Sequence, residues 1–252
     1  TAAVTAGTTS NASAAGTGTI SDNDGAPSVT IDDVTRNEAA GTITFTVTLD
    51  APSALAVSVD YATVAGTATG ADYAAGVDGL SGTLSFAAGV TSQTITLAIV
   101  DDAVFEASES FVINLSNAVN AAIGDGQGVG TIRDDGTGGG GTDDDTPSLS
   151  VSGAAVIEGT DNFAVFTVSL SNASTSDVSF NLALANITAT GGGVDYGTGG
   201  AGNLQVFVGG VWVDAASATI AAGQTSVQVR TPVSDDLLDE AAESFTLTVA
   251  VT

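Results

Sequence analysis

Four carboxylates stand close together in the segment VDDAVFEASESF, residues 100–111, directly before a hydrophobic run. They are Asp101, Asp102, Glu106 and Glu109, and no Lys, Arg or His lies near them in the sequence. Like charges a few ångströms apart repel strongly in a medium less polar than water, so we expect a cation to neutralise such a cluster. Carboxylate oxygens are the ligands that Ca²⁺ prefers.

The spacing of these acids occurs a second time in the chain. DDLLDEAAESFTLTV (235–249) matches DDAVFEASESFVINL (101–115), and the six Glu of the chain occupy equivalent positions in two copies. The equivalent pairs are Glu38 with Glu158, Asp72 with Asp195, Asp101 with Asp235, Asp102 with Asp236, Glu106 with Glu240, and Glu109 with Glu243. A surface that needed only solubility would not reproduce these spacings, although solvated acidic loops without an ion remain the alternative.

The composition excludes several kinds of chemistry. The 252 residues carry a formal net charge of −26, with three Lys and Arg in total and no His or Cys. Without His and Cys there is no Ser–His–Asp or Cys–His nucleophile system and no ordinary zinc site, so we do not expect an enzyme. The charge would repel nucleic acid, and no apolar run approaches the roughly 20 residues of a membrane-spanning helix.

Internal repeats divide the chain into two copies of one domain, at residues 26–136 and 147–252. The Gly- and Asp-rich segment 137–146 between them is predicted to be a flexible linker. Each copy reads as about seven short strands of alternating polarity, which is typical of an antiparallel β-sandwich. The second copy carries an insertion at about 198–216, whose NLQVFVGGVWVDA predicts a β-hairpin around two adjacent glycines.

The two ends of the repeat pattern are unusual. Residues 1–25 end in GTGTISDNDG, which matches GVGTIRDDG (128–136), and are predicted to be the terminal strand of a preceding repeat. The second copy lacks an equivalent of that strand. Because an unpaired sheet edge invites pairing, head-to-tail donation of residues 1–25 to domain 2 of another molecule is one expectation. The alternative is that residues 1–25 fold back on the first domain or remain loose.

Taken in order, RNEAAGTITFTV, GTATGADY, GTLSFAAG, DDAVFEASESF and a terminal Asp pair resemble the Calx-beta domain of sodium–calcium exchangers and large bacterial adhesins. The resemblance implies an all-β fold of two tandem immunoglobulin-like antiparallel β-sandwiches, with Ca²⁺ at one end of each. In the first copy it implies metal ligands at Glu38, Asp72, Asp101, Asp102, Glu106, Glu109, Asp134 and Asp135, and the carbonyl of Val104. In the second copy the matching set is Glu158, Asp195, Asp235, Asp236, Glu240, Glu243 and the carbonyl of Leu238.

The number of acids predicts about two to four Ca²⁺ ions per complete domain. The second copy lacks the terminal Asp pair, which Asp22 and Asp24 of another chain would supply if the strand is donated. We therefore expect a calcium-stiffened repeat region of a long secreted or cell-surface bacterial protein, an adhesin, whose partners are neighbouring repeats of the same chain. The alternatives are a glycan- or protein-binding module that uses the inserted hairpin and its Trp212, and a calcium-sensing regulatory domain.

Overall fold

The described part of the chain consists almost entirely of strands and the turns between them. The computed structural model describes residues 2–3, 13–73, 79–142, 144–200 and 203–252. Within these ranges the one helical element is a 3₁₀ turn at Glu38–Ala40. The same ranges contain no helix that combines the length and the apolar character needed to cross a membrane.

Domain 1 (residues 26–136) is a sandwich of two sheets. Its strands are β3 (Ser28–Ile31), β4 (Val34–Asn37), β5 (Thr42–Leu49), β6 (Val57–Ala65), β7 (Ser81–Phe86), β8 (Ser92–Ala98), β9 (Val104–Phe105), β10 (Glu109–Val119), β11 (Ala122–Ile123) and β12 (Gln127–Arg133). One sheet has the order β4-β12-β10-β6-β7 and the other has the order β11-β3-β5-β8. The pairings are antiparallel except for β12 with β4 and β11 with β3. The predicted β-sandwich is confirmed.

The core of domain 1 follows from alternation along the strands, because successive side chains of a strand point to opposite faces. In β5, Ile43, Phe45 and Val47 are fully buried, and threonines stand between them. Phe111 of β10 meets Phe45 edge-on, with 5.9 Å between ring centroids, and stacks on Tyr73 at 4.0 Å. Tyr73 directly follows Asp72, so this aromatic group fixes the backbone beside a predicted metal ligand.

Domain 2 (residues 147–252) repeats this plan. Its strands are β13 (Leu149–Val151), β14 (Phe163–Leu170), β15 (Ala173–Ser174), β16 (Val178–Asn186), β17 (Gln205–Val208), β18 (Val211–Asp214), β19 (Ser217–Ile220), β20 (Ser226–Pro232) and β21 (Phe245–Val251). The sheets have the orders β13-β14-β20-β17-β18 and β19-β16-β21. Phe245 stacks on Tyr196 at 4.0 Å and meets Phe166 edge-on at 5.9 Å, which reproduces the aromatic group of domain 1.

The hairpin predicted in the second copy is formed by β17 and β18. It turns at Gly209 and Gly210, whose φ angles of 59° and 85° suit a two-residue turn that other residues enter with strain. Trp212 on β18 is half-buried and lies 5.1 Å from the ring of Phe207. The guanidinium carbon of Arg230 is 4.3 Å from the centroid of Trp212, so this Trp packs on its own domain.

Domain 2 differs from domain 1 at one sheet edge. In domain 1, β12 lies between β4 and β10. Its counterpart is absent from the described part of domain 2, where β21 has β16 as its only strand neighbour. Residues 154–157, which correspond to β4, form no strand. As a result Phe245 is half-buried, whereas the equivalent Phe111 is 1% exposed.

The segment before domain 1 forms no part of either sandwich among the residues described. β1 (Ala2–Ala3) pairs with β2 (Ser13–Ala14), and residues 15–27 form no strand. Ile20, which corresponds in sequence to the buried Ile132 of β12, is 99% exposed. The prediction that residues 1–25 are the terminal strand of another repeat stays a prediction, and residues 1 and 4–12 lie outside the described ranges.

The linker and the two domains make several contacts at their junction. Asp135 and Asp144 form an isolated β-bridge, and the amide of Asn37 donates to the carbonyl of Gly139 at 3.1 Å. β9 of domain 1 pairs in parallel with β15 of domain 2, through Val104 with Ala173 and Phe105 with Ser174. The predicted linker, residues 137–146, therefore makes specific backbone contacts with domain 1. Asp143 lies outside the described residues.

Candidate metal centre

Glu38 is positioned by the 3₁₀ turn that directly follows β4. Asn37 caps the 3₁₀ turn by accepting from the amide of Ala39 at 3.1 Å, and Gly41 closes the turn at a φ of 68°. The side chain of Glu38 is 5% exposed, and its Oε1 accepts from the amide of Asp102 at 2.8 Å. Burial raises the pKa of Glu38 to about 7, against the opposing effect of that hydrogen bond.

The acidic loop, residues 101–109, is folded by hydrogen bonds that its own amides donate to carboxylates. Oδ1 of Asp102 accepts from the amide of Val104 at 2.7 Å. Oδ2 of Asp134, at the end of β12, accepts from the amide of Glu106 at 2.9 Å. Asp134 is 3% exposed, so β12 brings a buried carboxylate against the loop from the neighbouring strand. Asp101 lies on the same loop beside Asp102.

Three predicted ligands of domain 1 converge, two from this loop and one from the turn that follows β6. Carboxylate oxygens of Asp72, Glu106 and Glu109, one from each residue, lie within 4.8 Å of one another. Oδ2 of Asp72 also accepts from the amide of Thr69 at 2.6 Å, which orients it. Burial and the charges of Asp72 and Glu106 raise the pKa of Glu109 to about 7. Burial and the charge of Asp72 likewise raise the pKa of Glu106.

Domain 2 reproduces most of this arrangement. Carboxylate oxygens of Asp195, Glu240 and Glu243 lie within 4.8 Å of one another. Oε1 of Glu158 accepts from the amide of Asp236 at 2.9 Å, and Oδ1 of Asp236 accepts from the amide of Leu238 at 2.6 Å. These bonds correspond to those of Glu38 with Asp102 and of Asp102 with Val104, so the two loops share one local fold.

The two centres differ in burial. Glu158 is exposed, whereas Glu38 is buried, and domain 2 has no described counterpart of Asp134. Partial desolvation and Asp195 still raise the pKa of Glu240 and of Glu243. Asp235 lies next to the turn at Gly159, where an added Cβ would stand 2.8 Å from Oδ1 of Asp235. The centre of domain 2 is thus the more open of the two.

One predicted ligand of domain 1 has a different arrangement. Asp135 accepts hydrogen bonds from the amide and the hydroxyl of Thr137, which lower its pKa, and it bridges to Asp144 of the linker. It is therefore engaged at the linker and is not a member of the group of Asp72, Glu106 and Glu109. Sequence reasoning also missed Asn37, a buried residue whose Nδ2 donates to the carbonyl of Arg133 at 3.3 Å. The sequence does contain a signal for this role, because an Asn directly before Glu38 is a typical capping residue at the start of a helical turn.

The donor set fits a hard divalent cation. All of the converging side chains are carboxylates, and buried carboxylates with raised pKa values are those that a cation would stabilise in their ionised form. Ca²⁺ accepts about six to eight oxygen ligands in irregular geometry, which a set of loops can supply. Magnesium demands a smaller octahedral shell and fits this open arrangement less well.

The fold and the site define a protein of two β-sandwiches, each with a cluster of carboxylate oxygens formed by the same loops. The family model of the Calx-beta domain matches residues 22–136 and 142–213, and the chain therefore belongs to the Calx-beta family. A comparison with curated proteins gives no match.

Several solved structures are similar to the chain. One is described as the crystal structure of CBD12 from CALX1.2, with 20% identity, a TM-score of 0.40, and coverage of 82% of this chain and 74% of that one. The calcium binding domain CBD12 of CALX1.1 has 21% identity and a TM-score of 0.39, with coverage of 88% and 78%. The apo-form Calx CBD1 domain has 28% identity and a TM-score of 0.37, with coverage of 42% and 96%.

The raised pKa values predict how the stability of metal-free domain 1 depends on pH. Glu38 and Glu109 have an ordinary pKa of 4.5 and a folded pKa of about 7, so between these values the folded domain holds protons that the unfolded chain lacks. The stabilisation that these two protonated carboxyls contribute is complete below pH 4.5, the ordinary pKa, and is lost as the pH rises through about 7, the folded pKa. Urea denaturation in chelator should therefore show stability falling between about pH 5 and about pH 8.

Substitution of both residues provides the control for this pH dependence. The variant Glu38→Gln with Glu109→Gln carries neutral side chains at every pH, so its stability profile should be flatter than that of the parent chain. Saturating Ca²⁺ should reverse the slope in the parent, because the ion binds the ionised carboxylates. A parent profile that rises with pH in chelator would contradict the assignment.

Proposed function

We propose that the chain is a calcium-binding structural region in which Ca²⁺ stiffens the loops and the junction between the domains. One observation carries this proposal: the acidic loop at residues 101–109 contains candidate ligands and also the strand β9 that pairs with domain 2. An ion that orders this loop would order the domain junction in the same step. The Calx-beta family and the all-carboxylate donor set support Ca²⁺ as the ion.

The junction shows how the loop would transmit order to domain 2. The amide of Thr175 donates to the carbonyl of Phe105 at 2.9 Å, which links domain 2 directly to the acidic loop. Ser174 beside it is 3% exposed, and its carbonyl accepts from the amide of Gly223 at 2.8 Å. The strand β15 is therefore anchored inside domain 2 and bonded to domain 1 at the same time.

The composition supports a place outside the cell. We propose that the chain belongs to a long secreted or cell-surface bacterial protein, an adhesin, in which such repeats form an extended stalk. A net charge of −26 with no Lys suits a saline, calcium-rich medium, where the cation neutralises the loops and salt screens the rest. Zero Cys is compatible with this location and does not define it.

Hydrogen exchange at the junction tests the stiffening directly. We expect Ca²⁺ to slow exchange of the Thr175 amide, which donates to Phe105 across the junction. The amide of Gly223, which bonds to Ser174 within domain 2, provides an internal reference that should change much less. The measurement is exchange followed by mass spectrometry or NMR, in Ca²⁺ and in chelator.

Two variants separate calcium binding from stiffening. Glu106→Gln with Glu109→Gln should abolish the effect of Ca²⁺ on Thr175, and Asp125→Asn should retain it, because Asp125 is an exposed acid in the turn before β12. Calorimetric binding of Ca²⁺ without any change at Thr175 would show that the ion does not order the junction. No calorimetric binding would overturn the calcium assignment itself.

The hairpin supports a second candidate function, recognition of a glycan or of a partner protein. Val208, Val211 and Val213 are 57%, 59% and 48% exposed, and Phe207 is 40% exposed beside Trp212. Exposed aromatic and aliphatic side chains on one hairpin suit such a contact. Trp212→Ala should abolish binding on a glycan or surface-protein array if the hairpin is the binding site, with the exposed Val165→Ala on β14 of the same sheet as the control. A calcium-sensing regulatory role is the weaker alternative.

A further inference from the structure

The glycine loop, residues 136–142, has its two ends side by side. Asp135 before it and Asp144 after it pair as an isolated antiparallel bridge. The loop begins on domain 1 with two hydrogen bonds of Thr137. Its amide donates to Oδ1 of Asp135 at 3.0 Å, and its Oγ1 accepts from Nη1 of Arg133 at 3.0 Å. The segment between the domains is therefore folded back on domain 1 over these residues.

The glycines of this loop pack on the turn Glu38–Ala40 and on the strand before it. An added Cβ on Gly138 would lie 2.8 Å from the carbonyl carbon of Arg36. An added Cβ on Gly140 would lie 2.8 Å from Cβ of Ala40. Real Cβ atoms do not approach other atoms so closely, so the backbone of the loop occupies the space that side chains would need. Glycine is the residue that permits such an approach.

Asn37 joins the glycine loop to the turn and to β12. It is fully buried, and its amide donates to the carbonyl of Gly139 at 3.1 Å. Its Oδ1 accepts from the amide of Ala39 at 3.1 Å, and its Nδ2 donates to the carbonyl of Arg133 at 3.3 Å. An added Cβ on Gly141 would lie 2.6 Å from that Oδ1. A displaced glycine loop would thus release the residue that caps the turn.

We propose that the glycine loop is a positioning element of the domain 1 metal centre, which fixes the turn that places the carboxylate of Glu38. Asn37, held by the loop, directly precedes Glu38, and Oε1 of Glu38 accepts from the amide of Asp102 at 2.8 Å. A small rotation of the turn would move this oxygen out of hydrogen-bond distance of Asp102. The consequence for an ion rests on the proposed function, whereas the placement of Glu38 does not.

Hydrogen exchange in chelator tests the placement of Glu38 without any ion. Gly141→Ala is the informative variant, because the φ of Gly141 lies outside the left-handed region and Ala there introduces only the collision with Asn37. The amides of Asn37 and Asp102 should both exchange several-fold faster, since one bonds to the loop and the other to Glu38. The amide of Val129, which donates to Asp33 at 2.7 Å, should keep its rate.

Two control variants separate the contact from the loss of glycine itself. Gly153→Ala should leave all three amides unchanged, because an added Cβ there meets nothing within 4 Å. Gly139 and Gly140 have φ angles of 75° and 90°, which Asn tolerates better than most residues. Gly140→Asn should speed exchange at Asn37 and Asp102 by its collision with Ala40. Gly139→Asn should not, because an added Cβ at Gly139 also meets nothing within 4 Å.

Calcium titration by calorimetry measures the consequence for the metal centre. Gly141→Ala should weaken binding in domain 1 several-fold and leave domain 2 unaffected. Faster exchange at Asn37 with an unchanged rate at Asp102 would overturn the proposal, because the loop would then pack without positioning Glu38. Unchanged exchange at Asn37, or equal acceleration at Val129, would also overturn it. A parent chain that binds no calcium would contradict the proposed function, and exchange in chelator would still decide the placement of Glu38.

Discussion

Replacing Phe111 by Ala is expected to lower the free energy of unfolding of domain 1 by about 3–5 kcal/mol. Phe111 is 1% exposed, stacks on Tyr73 and meets Phe45 edge-on, so truncation leaves a cavity at the centre of the sandwich. The equivalent Phe245→Ala should cost about half as much, because Phe245 is only half-buried. Domain 2 contains the only Trp, so fluorescence during urea denaturation follows that domain separately from the total circular dichroism.

The same substitution should weaken the metal centre, because Phe111 lies two residues after Glu109 and stacks on the neighbour of Asp72. Calorimetry at a temperature where the variant is folded should show lower affinity in domain 1 with domain 2 unaffected. Equal destabilisation by Phe111→Ala and Phe245→Ala would contradict the interpretation that the lower burial of Phe245 makes it contribute less to stability.

Calcium is expected to raise the melting temperature of domain 1 by roughly 10 °C or more. Free ligand at about 100 times its dissociation constant stabilises a folded state by about 2.7 kcal/mol, and 1 kcal/mol shifts a domain of about 100 residues by roughly 4–8 °C. The ion would also remove the repulsion among Asp72, Glu106 and Glu109. Scanning calorimetry in Ca²⁺, Mg²⁺ and chelator measures the shift, which should be smaller for Mg²⁺.

Matched variants show whether the acidic centre is responsible for that shift. Glu106→Gln with Glu109→Gln should melt higher than the parent in chelator, because two repelling charges are gone, and should respond weakly to Ca²⁺. Asp125→Asn should behave like the parent under both conditions, since the Asn retains the oxygen that accepts from the amide of Gln127. A calcium response that survives in the double variant would place the ion elsewhere.

The strands and the principal acids could be predicted from the sequence because both obey short-range rules. Alternation placed Phe45 and its neighbours in the core, and the repeated spacing of acids brought Asp72 together with Glu106 and Glu109. The repeat also predicted the equivalent group of Asp195, Glu240 and Glu243 in domain 2. These predictions required only which face a residue occupies and which loop it follows.

Other features depend on contacts between distant parts of the chain. The burial of Glu38 and its bond to the amide of Asp102 join residues 64 positions apart, and no local pattern specifies them. The pairing of β9 with β15 rests on two residues in each strand, too few for a periodicity to be visible. Asp135 looked equivalent to Asp134, yet the chain turns between them and directs Asp135 to Thr137.

The carboxylate–amide hydrogen bonds of the two acidic loops have a consequence for the energetics of ion capture. Glu38 and Glu158 each hold the amide that begins the loop, and Asp102 and Asp236 each close the next turn. The start of each loop is thus preorganised by the acids themselves before any cation arrives. The conformational entropy lost on capture is then mainly that of the later part of the loop, which contains Glu106 and Glu109 and which an ion would order.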